Sequence, residues 1–199
     1  MRSEPENTLN APHMEAKELA LLDKYLPRGG SVLEFGAGGS TVYFFERGVN
    51  RLVSVESDQS FLEALAKRPV LQGRDWLPLH ADIGPVEAWG WPVSDSPEDS
   101  WLNYHQLVWS RFQDRNFDLI LIDGRFRVAC ACQAVLHCAN PSVNIIVHDF
   151  LDRLAKYRPI LQFCKIVEAA DTMIACEIRP GYERESLLAI LEEHKFDPA

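Results

Sequence analysis

The chain has 199 residues, of which 47% are hydrophobic and 25% charged, enough for one domain with a full core. Its 29 acidic against 20 basic side chains give a formal net charge of −9, which argues against a nucleic-acid surface because phosphate binding calls for a basic field. No apolar run reaches the roughly 18 residues of a membrane span and no apolar leader opens the chain, so the expected setting is the cytoplasm, away from membranes. The five cysteines follow no framework spacing and read as reduced, buried thiols.

Residues 1–10 are polar. Pro12 opens a predicted helix over about 12–26, with Met14, Leu19, Leu22 and Leu26 as its apolar stripe. His13 reads as an exposed residue at its start. Pro27 to Gly30 stop it. Val32, Leu33 and Phe35 then read as a short buried strand, and Gly36, Gly38 and Gly39 as a tight turn into a helix that Ser40 or Thr41 can cap. Strand, glycine turn and helix start make the ligand corner of a doubly wound α/β sheet. The dinucleotide fingerprint wants a third glycine where Thr41 stands. Glu34, two residues before the first glycine, would repel a pyrophosphate and suits a cation.

At these residues the sequence resembles the class I, Rossmann-like S-adenosylmethionine-dependent methyltransferases. Their first motif, acid-x-Gly-x-Gly, is matched by Glu34-Phe-Gly36-Ala37-Gly38. The resemblance implies a mostly parallel seven-stranded sheet with an antiparallel edge hairpin and helices on both faces. It implies S-adenosylmethionine as cofactor, held by Glu34, Gly36, Ala37, Gly38, Ser40 and Thr41, and by residues further along the chain.

Arg51 to Glu56 reads as the second strand, with apolar residues alternating at Leu52, Val53 and Val55. Glu56 closes it, 20 residues after Gly36, where an acid can accept from both ribose hydroxyls. Ser57 belongs to the same corner, and Asp58 caps the next helix. Trp76 to His80 is a third strand, weakened by Pro78. In the resembled family an acid after this strand meets the adenine. Asp82 fits that place, and Ile83 can cover the ring.

Residues 84–103 break the pattern with three prolines, two glycines and three tryptophans. So long a loop is uncommon in a compact domain and is usually functional. It reads as a substrate lid walled by Trp89, Trp91 and Trp101, or as a surface loop that buries its own tryptophans. A short helix is expected from about Tyr104.

Leu119 to Ile122 is a central parallel strand closed by Asp123 and Gly124. Val128 to Ala139 is a buried helix, with His137 a structural residue. Ile145 to Val147 is the next strand, closed by His148 and Asp149. Neighbouring strand ends would bring Asp123, His148 and Asp149 together as the catalytic group. Asp123 and Asp149 are then candidate ligands of a divalent metal such as Mg²⁺, which lowers a hydroxyl's pKa. Alternatively His148 is a base without metal. Where the metal-dependent relatives carry Asp-Asn, this chain has Asp149-Phe150.

Arg125, Arg127, Arg153, Lys156 and Arg158 gather beyond the same strand ends and point to an anionic acceptor. The alternative is a solvated face. Two antiparallel strands and a last helix complete the chain.

The expected activity is methyl transfer, to oxygen, on a small-molecule acceptor bound by Arg125, Arg127, Trp89 and Trp91. The competing readings are a non-catalytic binding or scaffolding protein and a nicotinamide-dependent oxidoreductase. Pairing of the chain with itself stays open.

Overall fold

The computed structural model describes residues 9–93 and 98–199. Seven strands form one sheet in the order β3-β2-β1-β4-β5-β7-β6. They are β1 (Ser31–Phe35), β2 (Arg51–Glu56), β3 (Asp75–His80), β4 (Leu119–Ile122), β5 (Asn144–Val147), β6 (Cys164–Ala170) and β7 (Met173–Ile178). The first five are parallel, and β7 pairs antiparallel with both β5 and β6. This is the arrangement expected from the sequence. Because β1 has β2 on one side and β4 on the other, the strand order reverses at β1. A ligand crevice opens outside the carboxyl ends of the strands at such a point.

The two-residue period of each strand sends its side chains to two cores. Leu33, Phe35, Ile120, Ile122, Ile145 and Val147 pack under α4 (Glu98–Arg111), α5 (Arg127–His137) and α7 (Arg184–His194). Val32, Leu52, Leu119, Leu121 and Ile146 pack under α1 (Ala16–Tyr25), α2 (Gly39–Glu46) and α3 (Gln59–Ala66). A one-turn helix, α6 (Leu154–Tyr157), follows β5. Pro78 is tolerated because β3 is an edge strand with one side unpaired.

Two element starts differ from the sequence reading. Helix α1 begins at Ala16, and the segment from Pro12 to Glu15 is not helical. Helix α4 begins at Glu98, so Trp101 is helical. Glu98 and Asp99 favour the positive end of the helix dipole, and Trp101, Tyr104, His105 and Val108 form a buried i, i+3, i+4, i+7 stripe. Trp101 therefore packs on Phe126, ring centroids 5.9 Å apart, and forms no wall of a lid. Part of the expected lid, residues 94–97, lies outside the described residues.

The crevice depends on a close approach of two turns. Gly36 has φ +94°, and a Cβ there would lie 2.6 Å from the Gly124 nitrogen. A Cβ on Gly124 would lie 2.9 Å from the Gly36 Cα and would collide with the Tyr104 hydroxyl. All three neighbours are held by backbone or core packing, so none can yield cheaply. Gly124→Ala should cost about 3 kcal/mol, the upper end for overpacking, measurable by urea denaturation.

Candidate active site

A cavity of about 370 Å³ lies over the carboxyl ends of β1, β2, β4 and β5. Its walls include Gly36, Ala37, Gly38 and Ser40 from the glycine turn, Glu56 from β2, and Asp123, Arg125, Arg127, His148 and Asp149 from the ends of β4 and β5. Trp89 and Trp91 close one side, and Pro12 and His13 lie across the rim. Thr41, Ser57, Asp82 and Ile83 do not reach this cavity.

Glu34 is not at the tip of its strand facing a ligand. It shares the α2 side of β1 with Val32, is fully buried, and accepts from the hydroxyls of Ser40, Thr41 (2.7 Å) and Ser54 (2.8 Å). Thr41 Oγ1 in turn accepts from the Gly38 N–H at 3.0 Å. Glu34 is thus the peg that ties the glycine turn to β1 and β2. Burial pushes its pKa up to about 7, against the three hydroxyl donors. Glu34→Ala would strand three buried hydroxyls and leave a hole. It should cost about 3 kcal/mol in chemical denaturation, within the range for lost buried partners and large-to-small changes.

Glu56 does face the cavity. Its Oε1 accepts from the Ser57 N–H (2.6 Å), the Asp58 N–H (2.9 Å) and Ser57 Oγ (3.1 Å). Burial raises its pKa to about 6. Ser57 sits behind it, and its hydroxyl also reaches the Gly90 carbonyl at 3.4 Å.

The expected adenine pair lies elsewhere. Asp82 is exposed and accepts from the Gly84 N–H at 3.0 Å, and Ile83 is buried in the core. The loop after β3 turns Asp82 outward and folds back to place Gly90 beside Glu56 and Ser57.

Asp123, His148 and Asp149 do converge. His148 Nδ1 lies 2.8 Å from Asp123 Oδ1 and 3.6 Å from Asp149 Oδ1. Its Nε2 lies 3.2 Å from Oε2 of Glu18. Burial alone would lower the imidazole's pKa, but Asp123, Asp149 and Glu18 outweigh it and raise it to about 9. Carboxylates at both ring nitrogens favour an imidazolium that donates from each, which leaves neither nitrogen open for the expected role of base.

Glu18, buried on α1, had no signal in the sequence for this contact, although Glu15-x-x-Glu18 marks a helix start. Its Oε2 also accepts from the Glu15 N–H, and its Oε1 accepts from the Thr172 N–H and hydroxyl.

Arg127, expected at the substrate, is instead a strut. It is 2% exposed. It donates to the carbonyls of Gly124, Asp123 and His148 and pairs with Asp149 at 3.1 Å and Asp123 at 3.5 Å. Arg153 adds a second cation to Asp149 at 3.3 Å. Three acids (Glu18, Asp123, Asp149) thus meet three cations (His148, Arg127, Arg153).

The expected metal does not fit this set. Ligand atoms of Asp123, His148 and Asp149 lie within 4.8 Å of one another. However, both ring nitrogens already face carboxylates, and a guanidinium already spans the two carboxylates. A dication would have to displace these partners.

Of the five clustered cations, Lys156 and Arg158 are exposed and outside the cavity, and Arg127 and Arg153 are committed to Asp149. Arg125 remains. Its guanidinium lies 4.6 Å from the centroid of the Trp91 ring. Trp89 stands 5.9 Å from His13, ring to ring, which brings His13 to the cavity rim. Trp89, Phe126 and Asp149 all have positive φ, a strain that non-glycine residues carry where the surroundings impose it.

No protein-family model and no curated protein matches the chain. Solved structures do. A methyltransferase-like protein from Silicibacter pomeroyi is 29% identical, covers 96% of this chain and 99% of its own, and superposes with a TM-score of 0.83. The chain has the class I methyltransferase fold. Among further structures with this fold, an O-methyltransferase of Bacillus cereus in complex with SAH is 16% identical over 86% of this chain and 84% of its own, with a TM-score of 0.54. A 16S rRNA methyltransferase of T. thermophilus in complex with AdoMet and guanosine is 21% identical over 86% of this chain and 45% of its own, with the same score. The methyltransferase fold is thus common to neighbours whose acceptors differ. No helix among the described residues is long and apolar enough to cross a membrane.

Proposed function

We propose that the chain binds S-adenosylmethionine in this cavity and transfers its methyl group to an oxygen of a small-molecule acceptor. The observation that carries the reading is Glu56, a carboxylate fixed by three donors and turned into the cavity that the glycine turn also lines. In that position it accepts from the two ribose hydroxyls of an adenosyl group.

A nicotinamide dinucleotide suits the corner less well. The Ala11 carbonyl lies against Gly39 in the first turn of α2, where a pyrophosphate would otherwise rest on the helix N-terminus. The cavity's size suits a small acceptor.

The cofactor supplies an already activated methyl group, so the protein's work is alignment and exclusion of water. Gly36 to Gly38 let the ligand approach the backbone. Asp149, fixed by Arg127 and Arg153, is the carboxylate that can orient a hydroxyl acceptor by accepting its hydrogen bond. Asp123 holds His148, and His148 holds α1 over the site.

Calorimetric titration with S-adenosylhomocysteine should give micromolar binding, unchanged by EDTA or Mg²⁺, and NADH should give none. Absence of S-adenosylhomocysteine binding would remove the cofactor reading. Strengthening by Mg²⁺ would overturn the assignment of Arg127 as the resident cation.

A further inference from the structure

Arg125 is 6% exposed, and its Nε and Nη1 are sealed from solvent without a hydrogen-bond partner. No carboxylate among the described residues pairs with it, whereas the other two arginines of the cavity wall are both ion-paired. A guanidinium taken out of water without a counter-charge is costly. Its environment adds to the cost. Burial and the neighbouring Arg127 and Arg153 weigh against its charge, and the Asp123 carboxylate favours it from a distance without forming an ion pair.

Its place is nevertheless built. The Tyr104 hydroxyl sits against the preceding Gly124, and the Cys130 thiol meets the Arg125 carbonyl at 3.5 Å. The next residue, Phe126, is held at φ +53°. From the cavity side the Trp91 ring covers this cation, and a ring face attracts a guanidinium less than a directly paired carboxylate does. Trp91 is itself 37% exposed.

We propose that Arg125 is a carboxylate anchor of this cavity, with the Trp91 ring as a cover that an entering carboxylate displaces. The planar fork of Arg suits a carboxylate, and the cost of burying the charge is recovered when the anion binds. The proposal rests on the cofactor reading for the two sources of that carboxylate: the amino-acid end of S-adenosylmethionine, or the methyl acceptor.

Two pairs of probes separate these sources. The first is S-adenosylhomocysteine against its decarboxylated analogue, by calorimetry. The second is benzoate against benzamide, by tryptophan fluorescence, with and without S-adenosylhomocysteine. Each is run on the wild type and on Arg125→Met.

The wild type should prefer the carboxylate member of at least one pair by roughly 10- to 100-fold, and Arg125→Met should lose that preference while binding the neutral member unchanged. Loss in the first pair assigns the carboxylate to the cofactor, and loss in the second assigns it to the acceptor. If the wild type shows neither preference, or the variant keeps those it shows, the proposal is overturned. Arg125→Gln, uncharged but still polar, repeats the test should Arg125→Met fail to fold. A wild type that binds neither adenosyl probe sinks the cofactor reading, and the benzoate pair then decides the anchor alone.

Discussion

Glu56→Ala should reduce S-adenosylhomocysteine affinity by about three orders of magnitude and leave the fold intact. The carboxylate is oriented before any ligand arrives, because Oε1 is held by Ser57 and by the first residues leading into α3. Each ribose hydroxyl would then donate to a charged acceptor, worth about 1.5–3 kcal/mol apiece. Two such bonds correspond to roughly 10²- to 10⁴-fold in affinity.

The pH dependence has a definite sign. Burial sets the Glu56 pKa at about 6 in the free protein. Affinity should be flat above that value and weaken as pH falls through it. Glu56→Gln should bind weakly at every pH, without that slope. The stability linkage runs the other way. A carboxyl whose folded pKa is raised stabilises the fold below its unfolded value of about 4.5, and that contribution is lost as pH rises through about 6. The free protein therefore gives up stability to keep Glu56 ionised, and ligand binding offsets it. Equal affinities for wild type and Glu56→Ala would refute the ribose assignment.

His148→Asn should cost about 3–5 kcal/mol at pH 6, the range for breaking a buried ion cluster by removing one charge. Glu18 and Asp123 would be left facing each other's field without the imidazolium between them. In a chain of this size that amounts to a fall of roughly 6–20 °C in melting temperature.

The sign again follows from the direction of the shift. A histidine whose pKa rises on folding contributes stability fully below its unfolded value of about 6.5, and the contribution is lost as pH rises through about 9. Wild-type melting temperatures should therefore fall across that window, and those of His148→Asn should not. The acids have the opposite sign. Burial tends to raise the pKa of Glu18 and Asp123, but their partners outweigh it and lower both, so their contribution is lost only on the acid side. A variant as stable as the wild type at pH 6 would remove His148 from the role assigned to it.

The strand ends and the glycine turn were legible because their signals are local. Apolar runs at Leu119 to Ile122 and Ile145 to Val147 need no partner to be read, and each closes on a polar residue at the crevice. For Glu34 the strand's own period carries the information that its motif obscures. A period of two places it on the same side as Val32, beneath the helix that Ser40 and Thr41 open, and that side is not the ligand's. Glu18 lies 130 residues from His148 and carries no local mark of the meeting. Arg125 and Arg127 differ only by a turn. The left-handed Phe126 between them sends one into the ion cluster and leaves the other under Trp91, and nothing in Asp123-Gly-Arg-Phe-Arg127 announces that conformation.

The two sides of the cavity are fastened very differently, and this sets where traffic passes. On the α1 side, Glu18 bolts three separate pieces of chain together: its own helix start, the end of β5 and the turn before β7. On the tryptophan side, the backbone bonds of residues 85–93 include Glu87 with Trp91 and Val93 with Pro85, and the Ser57 hydroxyl reaches across to Gly90 at 3.4 Å. The charged cluster that holds the site in shape is thus distinct from the residues of the tryptophan side, which a ligand can pass with the least disruption of ionic contacts.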